Sequence, residues 1–203
     1  MEALKYIFII VGGYLLGSVS ISIILSRMLG VDVRKKGSGN AGATNMARSF
    51  GLPAGFATLA GDFLKAAVVM FIAWRLCGDW GLLAGGAACI TGHCFPIFYD
   101  FRGGKGISVG AAIGLAIDWR VFVGIVIVFL IAAFLSKKVS LGSLCAAVAV
   151  IVLSLVFAVP LPRLLLAIYA AALAVFQHRA NLKRLSEGTE PDFRAAPTPG
   201  KKE

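Results

Sequence analysis

Acidic residues are scarce in this chain: ten Asp and Glu stand against twenty Lys and Arg in 203 residues, with only two histidines and four cysteines. Cys77, Cys89, Cys94 and Cys145 fall in or at the ends of apolar blocks. No C-x-x-C spacing marks a zinc site or a redox pair, so they read as buried thiols. Asp32, Asp62 and Asp100 stand singly and form no D-x-x-D pattern. That argues against a metal-dependent phosphatase or phosphotransferase acting on lipid-linked pyrophosphates, which needs acidic metal ligands. No Walker A motif is present, because the sequence around Gly103-Gly104-Lys105-Gly106 lacks its first glycine and its trailing Ser or Thr. No internal repeat is visible, which weakens an inverted-repeat transporter. No metal or other cofactor is expected.

What fills the chain instead is oil. Hydrophobic residues make up 59% and charged residues 15%, with a mean hydropathy of +0.87, well above the roughly 45–50% apolar usage of a soluble domain. The apolar residues come in blocks rather than amphipathic stripes, and about 20 such residues cross a hydrocarbon core of about 30 Å. Candidate spans are 4–26, 53–76, 80–98, 105–117, 119–136, 139–159 and 160–178. The first is too long for a signal peptide, carries Glu2 with Lys5 at its front and is followed by no A-x-A-like site. The fourth is short. Fusing it with the fifth would leave Asp118 and Arg120 near mid-bilayer, which is costly.

Basic residues set the orientation. Arg27, Arg34, Lys35, Lys36 and Arg48 mark the loop 27–52 as cytoplasmic. With seven spans, Arg102 with Lys105, Lys137 with Lys138, and the basic residues of the C-terminal end all fall on that side. Lys5, Arg75, Arg120 and Arg163 fall outside. The sequence therefore predicts an all-α integral membrane protein of seven transmembrane helices, one of them short, with the N-terminus outside and the C-terminus cytoplasmic. Residues 1–187 form one domain. Residues 188–203, with Pro191, Pro197 and Pro199 and no periodicity, read as a flexible cytoplasmic tail without chemistry. The net charge of +10 is largely this topology signal, which also suits an anionic leaflet or anionic substrates, and no nucleic-acid partner is expected.

Three polar segments lie on the cytoplasmic side: GSGNAGATNMAR from Gly37 to Arg48, GHCFPIFYDFRGGKG from Gly92 to Gly106, and HRANLKRLSEGTE from His178 to Glu190. Glycine, hydroxyl, amide, imidazole and cationic groups gathered at one face suit an interfacial site for an anion. In the first, Gly37, Gly39 and Gly42 can turn backbone N–H groups toward an oxyanion. Ser38, Thr44 and Asn45 add neutral donors, Asn40 can cap a following short helix, and Arg48 offers a fork suited to phosphate. In the second, Gly103, Gly104 and Lys105 resemble a phosphate-cradling turn at a helix N-terminus. In the third, His178 and Asn181 are three apart and share one helical face, while Lys183 and Arg184 read as headgroup anchors. Gly12, Gly13 and Gly17 read as helix-packing residues. Lys65 follows Asp62 by three inside the second span, and an intramembrane pair reads either as a site or as a structural ion pair. A transporter of a phosphorylated or anionic solute is the alternative reading of these loops.

GSGNAGATN with Arg48, then GHxFPxFxxFxGGKG, then HRxNxxRLxxGxE resemble the three cytoplasmic motifs of the PlsY family, the bacterial membrane glycerol-3-phosphate acyltransferases that use acyl phosphate. The resemblance covers essentially the whole chain, with Tyr99 standing where the pattern has an apolar residue. It implies transfer of a fatty acyl group from acyl phosphate to the sn-1 hydroxyl of glycerol 3-phosphate, giving 1-acylglycerol 3-phosphate (lysophosphatidic acid) and phosphate, the first step of phospholipid biosynthesis. It implies no HxxxxD motif, and Phe98 and Lys183 indeed stand five residues after His93 and His178. It implies a multi-pass protein of the bacterial inner membrane, in contact with lipid and coupled to the soluble enzyme that makes acyl phosphate from acyl carrier protein. The residues expected to carry catalysis are Ser38, Arg48, Lys105, His178 and Asn181. Phosphate binding is assigned to Ser38, Gly39, Asn40, Thr44, Asn45, Arg48, Gly103, Gly104, Lys105 and Asn181, with support from Lys65, His93, Arg184 and Glu190.

Overall fold

Lipid offers backbone N–H and C=O groups no partner, so apolar blocks that enter it must bond internally as helices. The computed structural model describes residues 1–193, and its regular structure is entirely helical. Residues 194–203, most of the expected tail, lie outside the described residues. The first block is a broken helix. α1 (Glu2–Ser18) and α2 (Ile21–Met28) meet at an extended Val19–Ser20, where Ser20 Oγ accepts the N–H of Ile23. Lys65 Nζ bonds the carbonyls of Gly17 and Val19, at 3.0 and 2.6 Å, replacing bonds the break removes.

After a loop comes the short α3 (Ala43–Phe50), then α4 (Leu52–Cys94). The latter is broken at Cys77 and Gly78, the glycine having φ 58°, and its second arm folds back along its first. A Cβ at Gly81 would overlap the Ala73 carbonyl, and one at Gly85 would press the Ala73 side chain. α5 (Ile107–Ile117) follows, and at about 1.5 Å per residue its 11 residues reach only about 16 Å. Asp118 ends it and starts α6 (Trp119–Ser136), its carboxylate accepting the Arg120 N–H at 2.7 Å. α7 (Val139–Val156) and α8 (Leu161–Gln177) complete the bundle, and α9 (Arg179–Ser186) leaves α8 at a 60° bend.

By length and composition, four segments can cross a membrane: Glu2–Met28, Leu52–Tyr99, Trp119–Ser136 and Val139–Val156. The bent pair α8–α9 makes a fifth. The folded-back α4 counts once in that reckoning, and α5 falls below it. Short α5 packs against α4, α6 and α8 around buried Met70, Ile90, Val109, Ile113 and Leu166. Large apolar side chains such as Phe8, Phe71, Phe134 and Val148 point outward, as lipid-facing surface requires. Gly13 and Gly17 let α1 approach the second arm of α4, where a Cβ on Gly17 would overlap the Cys89 carbonyl. Gly12 faces open space and takes no part in packing.

The packed structure also runs past the boundary expected at Gly188. Glu190 is buried among side chains of α7 and α9, and the N–H of Phe193 donates to the Lys137 carbonyl at 3.0 Å. Composition flagged 188–193 as featureless because a carboxylate with distant partners leaves no periodic trace.

Candidate functional site

The first polar segment is organised by a single amide. Asn45, in the first turn of α3, is 1% exposed. Its Oδ1 accepts the Ser38 N–H at 2.9 Å, and its Nδ2 reaches the carbonyls of Val33, Lys36 and Asn40 at 3.1, 3.0 and 3.0 Å. Nδ2 therefore keeps no hydrogen for a ligand, and Asn45 holds the loop from inside. The Gly39 N–H is used as well, donated to the Lys36 carbonyl at 3.0 Å. The α3 N-cap is Gly42 without a side-chain cap, so Asn40 does not cap the helix as expected. Arg34 pairs with Asp32 at 2.9 Å and donates to the Tyr99 carbonyl at 2.8 Å, tying this loop to the second segment. The Tyr99 ring lies under the Arg27 guanidinium, which gives that departure from the family pattern a local role.

The second segment differs from its expected form in the same way. The N–H groups of Gly103 and Gly104 donate to the last carbonyls of α4, Cys94 at 3.2 Å and His93 at 3.1 Å. Both hydrogens are therefore spent within the turn. Glycine is needed because a Cβ on Gly103 would overlap the His93 carbonyl, and one on Gly104 the His93 ring. What this tight turn presents is Lys105, just ahead of α5.

The third segment supplies a carboxylate hub. Glu190 Oε1 accepts from Ser140 Oγ and Asn181 Nδ2, each at 2.6 Å, and Oε2 accepts from Arg184 Nε at 2.7 Å. Lys105 Nζ donates to Asn181 Oδ1, so one chain of bonds runs from Lys105 through Asn181 to Glu190. Burial opposes the charge of Glu190, but the bonds from Ser140, Asn181 and Arg184 outweigh it and hold the carboxyl below its ordinary range. Burial, with Arg184 and Arg48 nearby, pushes the Lys105 ammonium down to about 8 against the pull of Glu190. His178 sits at the bend between α8 and α9 with Nδ1 2.7 Å from the Ala174 carbonyl. That contact places the ring hydrogen on Nδ1 and leaves Nε2 as the acceptor in the neutral ring.

Ser38, Asn40, Thr44, Asn45, Arg48, Lys105, His178, Asn181, Arg184, Glu190 and His93 line one cavity of about 320 Å³. Gly39, Gly103, Gly104 and Lys65 do not reach it. Lys65 instead lies 2.7 Å from Asp62 Oδ1 and 3.3 Å from Nδ1 of His93, which does line the cavity. Sequence reasoning missed Ser108, Ser140 and Ser143, which also line it, as well as Lys138, which bonds the Glu190 carbonyl at 2.8 Å. Two hydroxyls three apart, Ser140 and Ser143, at the head of an apolar span were the available signal.

A second, almost wholly apolar cavity of about 320 Å³ runs between α4, α5, α6, α7 and α8, lined by Phe63, Phe122, Ile125, Ala147, Val150 and Ala170 among others. Leu59, Ile107, Ser108, Phe129 and Ser143 line both, so the cationic pocket and the apolar groove are joined at a wall carrying two hydroxyls.

Comparison with known proteins agrees with this architecture. The model of the family described as glycerol-3-phosphate acyltransferase matches residues 7–188. A glycerol-3-phosphate acyltransferase of Trichlorobacter lovleyi is 39% identical over 191 residues, spanning 93% of this chain and 98% of the relative. One of Clostridioides difficile is 40% identical over 200 residues, spanning 94% and 96%. The crystal structure of PlsY, an integral membrane glycerol 3-phosphate acyltransferase, in its glycerol 3-phosphate form superposes with a TM-score of 0.90 at 34% identity, covering 93% of this chain and 96% of that one. Its lysophosphatidic acid form gives 0.88, also at 34% identity. In sequence over nearly its whole length, and in fold, the chain belongs to the PlsY family of glycerol-3-phosphate acyltransferases.

Proposed function

We propose that the chain transfers a fatty acyl group from acyl phosphate to the sn-1 hydroxyl of glycerol 3-phosphate, releasing 1-acylglycerol 3-phosphate and inorganic phosphate. The observation that carries this reading is the junction of the two cavities. A pocket holding Arg48, Lys105 and Arg184 suits phosphate groups, and the apolar groove opening from it suits an alkyl chain. A phosphate tethered to a chain, with its acyl carbonyl at the shared wall by Ser108 and Ser143, fills both.

Acyl phosphate is a mixed anhydride and already activated, so orientation and charge stabilisation supply most of the rate. The glycerol hydroxyl oxygen attacks the acyl carbon, the bond from that carbon to the phosphate oxygen breaks, and the phosphate leaves with the bonding electron pair. The hydroxyl proton passes to a phosphate oxygen. Arg48, Lys105 and Arg184 balance the anionic charge, Ser38, Asn40 and Thr44 add neutral donors, and Glu190 with Asn181 aims Lys105. His178, with Nε2 as an acceptor, orients the hydroxyl in this scheme. If His178 were instead the base, His178→Ala would lower the rate by about 10²–10⁴ and flatten the pH profile near its pKa.

The same proposal takes the helices as seven spans: α1 with α2, the two arms of α4, α5, α6, α7, and α8 with α9. The basic loops then face the cytoplasm and the N-terminus lies outside, in the bacterial inner membrane. There the cytoplasmic mouth can receive acyl phosphate from the soluble enzyme that makes it from acyl carrier protein. The donor is tested with purified protein, glycerol 3-phosphate, and acyl phosphate or acyl-CoA in parallel. Turnover with acyl phosphate alone is expected, and turnover with acyl-CoA alone would overturn the reading. Orientation is tested in a cysteine-free background. A cysteine at position 38 should resist an impermeant maleimide in sealed cells, and its labelling there would refute the topology.

A further inference from the structure

His93 lies at the end of α4, is 5% exposed, and borders the cavity beneath Lys105. Its ring faces two environments. On one side, Nδ1 is 3.3 Å from Lys65 Nζ and 3.6 Å from Asp62 Oδ1, while Lys65 Nζ and Asp62 Oδ1 are 2.7 Å apart. An ammonium group only donates, so Nδ1 must accept from it. The carboxylate at 3.6 Å is too far to take a hydrogen from Nδ1. A neutral ring whose Nδ1 is the acceptor carries its hydrogen on Nε2. On the other side, Nε2 points to the Gly104 turn, so closely that a Cβ there would overlap it. Among the described residues Nε2 makes no hydrogen bond, yet the fully buried side-chain atom left without a hydrogen-bond partner is Asp62 Oδ1, so Nε2 keeps access to the cavity that His93 lines.

We infer that His93 is a further substrate-contacting residue, donating Nε2–H to a phosphoryl oxygen in the cavity, with Lys65 and Asp62 as positioning residues that fix that tautomer. The ligand class follows from what surrounds the donor. Arg48, Lys105, Arg184 and Ser38 line the same cavity, and Glu190, its acidic member, is already bonded by Ser140, Asn181 and Arg184. A set of donors with its one carboxylate occupied takes an acceptor-rich anion. This also gives Lys65 a function from outside the cavity. Its ammonium bonds the open carbonyls of the α1–α2 break with two hydrogens and sets the imidazole with the third.

The inference rests on the acyl-transfer reading for its substrate but is tested apart from it. A glutamine at 93 reaches as far as Nε2 and keeps a donor there, while losing the acceptor that faces Lys65. An asparagine reaches only as far as Nδ1 and can accept from Lys65, but presents nothing to the cavity. The solubilised full chain and the two variants, His93→Gln and His93→Asn, are titrated with inorganic phosphate by thermal shift. kcat/KM for glycerol 3-phosphate is then measured with acyl phosphate as donor. We expect His93→Gln to stay within about threefold of wild type in both readouts and His93→Asn to lose about tenfold or more. A role confined to bracing Lys65 and Asp62 predicts the reverse order. That reverse order, equal losses, or no loss in either variant would overturn the inference. Phosphate binding that follows the predicted order in a protein inactive with acyl phosphate would support the inference and overturn the donor assignment.

Discussion

The two glycine-rich loops of this molecule look alike as sequence and behave differently as structure. Gly37–Gly42 and Gly103–Gly106 both have the composition of a phosphate cradle, and in both some of the expected amides are spent inside the protein, those of Ser38 and Gly39 in the first and of Gly103 and Gly104 in the second. In the first, glycines at φ 54° and 72° let the chain wrap an asparagine, which holds the loop from inside. In the second, glycines let the chain press against the end of α4 so closely that no side chain fits. Gly39 needs glycine for backbone angle alone and Gly37 for angle and space, a Cβ there overlapping Asn45 Oδ1, whereas Gly103 and Gly104 need it for space and Gly106, at φ 81°, for angle. The polar side chains delivered to the cavity include Ser38, Asn40, Thr44 and Arg48 from the first segment, beside Gly42 and Ala43, and Lys105 and His93 from the second.

The largest effect should come from testing that difference directly. Gly104→Ala forces a Cβ into the His93 ring, so the ring or the turn carrying Lys105 must move. A displacement of about 1 Å in a positioning element costs about 100-fold in rate, and kcat/KM should fall at least that far. Gly39→Ala has the Arg34 carbonyl as its nearest neighbour, at 3.4 Å, and meets only the strain of φ 72°, about 1–2 kcal/mol. It should lower the melting temperature and leave kcat/KM within a few-fold. Similar losses of activity from both substitutions would erase the distinction.

Next in size are the cations. A hydrogen bond to a charged group is worth about 1.5–3 kcal/mol, so Arg48→Ala and Lys105→Ala should each cost at least about tenfold in kcat/KM while the protein still inserts and purifies. Ser38→Ala and Asn181→Ala should cost less, the second by releasing Lys105. The pH dependence follows in sign from the depressed Lys105. Its charge is present below about 8 and is lost as pH rises through that value. kcat/KM should therefore decline above about 8 and hold to higher pH in Lys105→Arg, whose guanidinium stays charged. A wild-type profile flat to pH 10 would remove Lys105 from phosphate binding. The smallest effect belongs to Lys137→Ala. Its backbone carbonyl, which takes the Phe193 N–H, survives the substitution, so neither kinetic parameter should change.

Helices and their limits were legible because lipid makes hydrophobicity a one-dimensional signal. Asp118 ended one helix and began another as its cost in mid-bilayer implied, and Trp119–Ser136 has the span's expected bounds. The α1–α2 break was not legible, since a run of apolar and small residues carries no mark of where Lys65 will reach in from another helix. Many of the lining side chains could be read from their chemistry, Ser38, Arg48, Lys105, His178 and Asn181 among them, but not Ser108, Ser140 or Ser143. What could not be read was which polar groups spend their hydrogens inside the protein. Asn45 and the Gly103–Gly104 amides have the right chemistry and are already bonded, a fact that depends on contacts between segments. Glu190 was visible as a residue of the third motif, but its place as the hub depends on Ser140 from α7.

The central claim is that both substrates occupy the joined cavity together and that the acyl group moves directly between them. Initial rates with both substrates varied test it. Direct transfer in a ternary complex gives intersecting double-reciprocal lines and no labelled protein after incubation with radioactive acyl phosphate alone. Parallel lines, with acyl label retained on Ser38, would show a covalent acyl-enzyme and contradict the account.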